Sequence, residues 1–212
     1  MTTAIRLEPV YNGIMIQPQI KTIGNAEKAY QMLGNENLWS VALRCHQLLK
    51  EAGVPHSIAG GVAVCLHGYQ RNTVDLDLLV RPEDSGLIRS VMTSAGFEWH
   101  AEECEFRTPD GIAVQFLIAG EKAGRGMEIS FPDPAVAESI ETIENLPVLR
   151  LSKLIESKLA SGTGSIRRTH RDFADVVELI AIRNLDSSFA RHLHKSLRVT
   201  FRKLVDNARG SN

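Results

Sequence analysis

The chain has 212 residues and a mass of 23.4 kDa, and it is 43% hydrophobic, 23% charged and 6% aromatic, a globular composition that excludes disordered, collagen-like and disulfide-scaffold classes. No apolar run reaches the roughly 18 residues of a membrane span, the opening MTTAIRLEPVYNG lacks a signal-peptide pattern, and Cys45, Cys65 and Cys104 lack metal-ligand spacing; the expectation is a cytoplasmic protein with reduced thiols and no membrane partner. A net charge of -1 hides a polarity, -8 over residues 1–149 and +7 over residues 150–212: an acidic, metal-collecting part facing a basic, phosphate-collecting one, or two layers that neutralise each other.

Residues 1–35 show no periodicity and read as an irregular lead-in. Leu38, Val41, Ala42, Cys45, Leu48 and Leu49 have helical spacing, stopped by Gly53. His56 to Gly61 reads as a short strand entering a glycine turn, VAVCLHGYQ as a short helix, and Val74 to Val80 as a strand. Pro82 opens a helix that ends near Gly96. EFRTPDGIAVQFLIAG reads as a hairpin turning at Pro109-Asp110-Gly111, and residues 119–135 as a Gly- and Pro-rich divider. Three helices are then expected, near Ser152–Ala160, Arg171–Arg183 and Ser187–Asn207, the first two separated by Gly162-Thr163-Gly164-Ser165. The layout predicts an α+β fold: an irregular segment over 1–35, a core with a small mixed sheet flanked by helices over 36–135, and a helical region packed on it over 136–212.

The chemistry gathers in IAGGVAVCLHGYQRNTVDLDLLV, Ile58 to Val80. Asp75 and Asp77 stand two apart on a strand, so they project from one face with α-carbons about 6.6 Å apart. Two like charges about 4 Å apart near a protein surface repel by about 4 kcal/mol at an effective dielectric of about 20, so the pair calls for cations. Magnesium suits it, because that ion takes one or two carboxylates together with substrate phosphates. Gly60 and Gly61 let a backbone turn approach an anion and lead into a helix N-terminus. Glycine turn, short helix, Arg71, Thr73, Asp75 and Asp77 follow in that order, which forms a place for a metal-bound nucleoside triphosphate. Lys158 lies in an inward stripe with Leu151, Leu154, Ile155 and Leu159, so its ammonium either escapes to solvent or meets an anion. Arg171 and Asp175 have the i, i+4 spacing of a surface ion pair.

This segment resembles the signature of the nucleotidyltransferase superfamily with the DNA polymerase beta-like fold, in which a glycine pair precedes an Asp-x-Asp strand. More narrowly, it is similar to small bacterial minimal nucleotidyltransferases and to the toxin-type enzymes of toxin–antitoxin systems. The resemblance spans about residues 48–182 and includes LRLSKLIESKLASG and HRDFADVVELI. It implies a magnesium site on a sheet, a nucleoside triphosphate, and nucleotidyl transfer to a hydroxyl on a protein, an RNA end or a small molecule. Asp75 and Asp77 would be the catalytic metal ligands. Gly60, Gly61, Arg71, Thr73, Lys158 and Arg171 would bind the nucleotide. Active members supply a third carboxylate from a neighbouring strand, and the matching position here is Gln115, which can neither take a proton nor cancel cation charge. Glu102, Glu103 or Glu105 would have to swing in from the preceding strand to replace it. Gln115 therefore keeps open a second expectation, a degenerate nucleotide- or partner-binding regulator of antitoxin type. Six Lys and Arg follow Ala190, either as an RNA-facing surface or as a solvated helix face. No feature of the sequence fixes the oligomeric state.

Overall fold

The structure, a computed structural model, describes residues 36–210, so the expected lead-in over 1–35 lies outside the described residues. Helix α1 (Glu36–Glu51) buries Leu38, Val41, Ala42, Cys45 and Leu49 of the stripe that its spacing predicts and leaves Leu48 half-buried. Strand β1 (His56–Ile58) enters helix α2 (Gly60–Leu66), and β2 (Asp75–Val80) follows. A 3-10 turn at Pro82–Asp84 leads into α3 (Ser85–Ser94), then come β3 (Glu98–His100), β4 (Glu105–Arg107) and β5 (Ala113–Ile118). The 119–135 stretch is a loop. Beyond it lie β6 (Ile140–Ile143), β7 (Leu146–Leu149), α4 (Leu151–Gly164), α5 (Ile166–Ile182) and α6 (Arg198–Gly210).

The strands form one mixed sheet in the order β3-β4-β5-β2-β1-β7-β6. β2 pairs antiparallel with β1 and parallel with β5, which puts the acidic strand in the middle of the sheet. Leu76, Leu78, Leu79 and Val80 are fully buried there, and that burial fixes the register, since a one-residue slip would exchange the two faces. Among the described residues no helix is long and apolar enough to cross a membrane.

Three expectations are corrected. The region 136–212 does not start as helices: β6 and β7 form a hairpin, and β7 joins the sheet beside β1. Its turn is Glu144-Asn145, both with positive φ, the two-residue hairpin geometry usually signalled by a glycine that is missing here. Pro147 within β7 further disguises the strand. Second, Gly162 and Gly164 do not separate two helices but lie inside α4, and the break is at Ser165. A Cβ on Gly162 would sit 2.7 Å from the Phe173 ring, so this glycine serves close helix contact. Third, the expected helix over Ser187–Asn207 is two 3-10 turns, Ser187–His192 and Lys195–Leu197, followed by α6. The chain becomes extended at Leu193–His194, where Glu156 of α4 accepts the His194 backbone N–H.

Candidate active site

The acids on β2 face the turn between β1 and α2. Ala59 N–H donates to the Asp77 carbonyl at 2.9 Å, which pins the turn to the strand. A Cβ on Gly60 would fall 1.7 Å from Asp77 Oδ2, and one on Gly61 would fall 2.3 Å from Thr73 Oγ1. Gly60 also has φ +57, a conformation that favours glycine. The glycine pair is therefore what allows Asp77 and Thr73 to lie directly on the backbone at the start of α2. Thr73 donates to Asp75 Oδ1 at 3.1 Å and so orients that carboxylate.

Asp75, Asp77, Gly61, Arg71, Lys158 and Arg171 line one cavity of about 100 Å³, which the register also opens to Gln115. A second, of about 80 Å³, continues over Gly60 and Asp77. The predicted site residues thus come together at the centre of the sheet. Burial, with the neighbouring Asp75 charge, pushes the Asp77 carboxyl up to about 6 against the opposing pull of Lys158, Arg168 and Arg171.

The cations are arranged differently from their sequence spacing. Lys158 does not reach solvent: it is 9% exposed and its Nζ lies 2.9 Å from both Asp172 and Asp175. Asp175 is not the partner of a surface pair with Arg171; it is 1% exposed and receives two hydrogen bonds from Arg71, at 2.7 and 3.0 Å. Arg168, which is not among the residues predicted from the sequence, lines both cavities beside Asp172. Their spacing on α5 was the available signal: Arg168, Asp172 and Asp175 fall on one helical face at i, i+4 and i+7.

Gln115 stands beside Asp77 in the β2–β5 register. Its Nε2 donates to Glu105 Oε2 at 3.0 Å, and Glu105 also takes the Arg107 guanidinium at 2.7 Å. Glu105 is thereby held on β4, with β5 between it and the acid pair on β2. Glu102 and Glu103 sit exposed on the β3–β4 turn. The carboxylate that does reach the cleft comes from a helix: Asp172 lines it, and Asp172 Oδ2 is buried with no hydrogen-bond partner among the described residues.

These donors fit a hard divalent cation. Carboxylate oxygens are the ligands magnesium prefers, and Asp75 and Asp77 share a face at the cleft. Among the described residues no cluster of three His, Cys, Asp or Glu forms a metal cage, so a cation there would need further oxygens from a ligand.

No family model and no curated protein matches the chain. Solved structures do resemble it. An antigenic nucleotidyltransferase-like protein from Paracoccidioides brasiliensis is 18% identical, with a TM-score of 0.50 over 81% of this chain and 88% of that one. TM1012 from Thermotoga maritima is 20% identical over 66% of this chain and 93% of its own, at a TM-score of 0.47. The antibiotic-resistance factor ANT(2'')-Ia is 13% identical over 82% of this chain and 95% of its own, also at 0.47. The likeness to the Paracoccidioides brasiliensis protein speaks to architecture alone, and the mixed sheet with its central acidic strand has a nucleotidyltransferase-like fold.

Proposed function

We propose that the cleft binds a magnesium–nucleoside triphosphate and transfers its nucleotidyl group to a hydroxyl acceptor: the acceptor oxygen bonds the α-phosphorus as the bond to the β-phosphate oxygen breaks and pyrophosphate leaves. The observation that carries this reading is the placement of Asp75 and Asp77 on one face of the central strand, with Asp77 against the Gly60–Gly61 turn. Asp75 and Asp77 would hold the cation. Bound magnesium would neutralise phosphate charge and polarise the group under attack. The protein's own part is positioning and electrostatics. Thr73 orients Asp75, while Arg168 and Arg171, which make no ion pair among the described residues, face the triphosphate. Lys158 keeps a positive potential at the cleft wall while fixed by Asp172 and Asp175. Asp172 Oδ2 takes the acceptor's proton, the role that Gln115 cannot fill.

The test is thermal stabilisation by each triphosphate with and without magnesium, followed by transfer of labelled nucleotide. Asp172→Asn keeps the shape of the side chain and one acceptor for Lys158. It is expected to preserve the magnesium-dependent stabilisation and to lower transfer by about 10²–10⁴-fold, the usual share of a general base. Gln115 favours a second reading, nucleotide binding without turnover. Stabilisation without transfer by the wild-type protein selects that reading, and absence of any stabilisation removes both.

A further inference from the structure

Where the 119–135 loop crosses the end of α4, a depression of about 490 Å³ is lined by Arg125, Arg167 and Arg168 above a floor of glycine and serine, with no acidic side chain in the lining. The loop lies hard against the helix. A Cβ on Gly124 would fall 2.0 Å from the Ala160 carbonyl oxygen, and one on Gly164 would fall 2.5 Å from the Arg125 amide nitrogen. Arg125 is therefore brought to the α4–α5 junction by backbone contact. None of the three arginines is in an ion pair among the described residues. Ser161 and Arg168 also line the cavity over Gly60 and Asp77, so the arginine depression adjoins the cavity of the acid pair.

Charge matching separates the two cavities. In the cleft, Asp75, Asp77, Asp172 and Asp175 are matched one for one by Arg71, Lys158, Arg168 and Arg171. The cleft's own unpaired guanidinium groups, Arg168 and Arg171, already face a triphosphate bound there. Arg125 and Arg167 stand outside it, two positive charges in a depression with no acidic side chain in its lining among the described residues. A cationic acceptor would be repelled there, whereas a phosphate would meet guanidinium forks shaped for its oxygens.

We propose that this arginine pocket, adjoining the cleft, holds a phosphodiester of a phosphate-bearing acceptor. The word acceptor rests on the transfer reading above; the phosphate site rests on the pocket. The test uses the full chain and the double variant Arg125→Ala, Arg167→Ala. Both side chains are exposed, and an unchanged melting temperature is the control for folding. Binding of a short fluorescein-labelled single-stranded oligoribonucleotide is followed by anisotropy across a salt series. Stabilisation by magnesium–ATP is measured in parallel. The expected result is at least tenfold weaker oligonucleotide binding, with the slope of log K against log salt reduced by about 1.4, about 0.7 for each lost contact on a single strand. Magnesium–ATP stabilisation stays as in the wild type. Unchanged oligonucleotide binding overturns the proposal. So does a loss of magnesium–ATP stabilisation in the variant, which would assign the pocket to the donor's own phosphates. If magnesium–ATP stabilises neither protein while the oligonucleotide effect holds, the phosphodiester site stands and only the transfer reading falls.

Discussion

Asp77 is ionised at neutral pH against the resistance of its surroundings. Burial and Asp75 raise its carboxyl from 3.8 to about 6, so the folded protein holds this proton to a higher pH than the unfolded chain does. Folding stability therefore falls as pH rises through that window and stays reduced above it. Asp77→Asn removes the cost. The variant is expected to melt above the wild type at pH 8 without metal, with the difference disappearing near pH 4. Added magnesium should narrow the gap from the other side, by stabilising the wild type alone. Melting curves at the two pH values check this, and a variant that melts lower at pH 8 would show that Asp77 is not under electrostatic stress. Gln115 makes the opposite point about a single residue. Its amide is the donor that satisfies Glu105, so an acid at 115 would have faced Glu105 across the β4–β5 pair.

The junction of α4 and α5 shows how a glycine can be misread at the level of an element. Gly162 lies within a helix, where alanine is ordinarily better by about 1 kcal/mol. Here the Phe173 ring occupies the alanine methyl's position, with Asp172 Cβ next to it at 3.4 Å. Overpacking a close contact costs about 1–3 kcal/mol, so the sign reverses. Gly162→Ala is expected to lower stability by about 1 kcal/mol net. Because Phe173 adjoins Asp172, it should also reduce nucleotidyl transfer more than triphosphate binding. Denaturant midpoints and the ratio of the two activities are the measurements. A more stable variant would show that Phe173 moves aside freely. The β6–β7 hairpin has the same character: its turn chemistry is carried by Glu144 and Asn145 at positive φ, residues that do not by themselves announce a turn.

Across the whole molecule, one buried ionic network joins parts of the chain distant in sequence. Arg71 precedes β2, Lys158 belongs to α4, and Asp172 and Asp175 belong to α5; Asp175 bonds both cations. Removing one member of a buried ion pair leaves its partner uncompensated, at a cost of about 3–5 kcal/mol. Asp175→Asn keeps the volume and abolishes the charge, so it should destabilise the fold by about 3 kcal/mol. It should also weaken triphosphate binding, since Arg71 and Lys158 lose their anchor. Urea unfolding with an unchanged slope would establish the first effect. Wild-type stability in this variant would mean that the network contributes no cohesion between the sheet and the helices.

The amino-acid order alone determined what depends on local period: an α+β fold, a glycine turn ahead of a strand, and two acids on one face of that strand. Those features follow from side-chain alternation and from the backbone freedom of glycine, which act over a few residues. Tertiary structure decided which charges meet. Arg71 finds Asp175 across 104 positions, Asp172 enters the cleft from a helix, and β7 joins the sheet beside β1. Local spacing is blind to these because the packing of α4 and α5 on the sheet sets them, and that packing is chosen by burial summed over the whole chain.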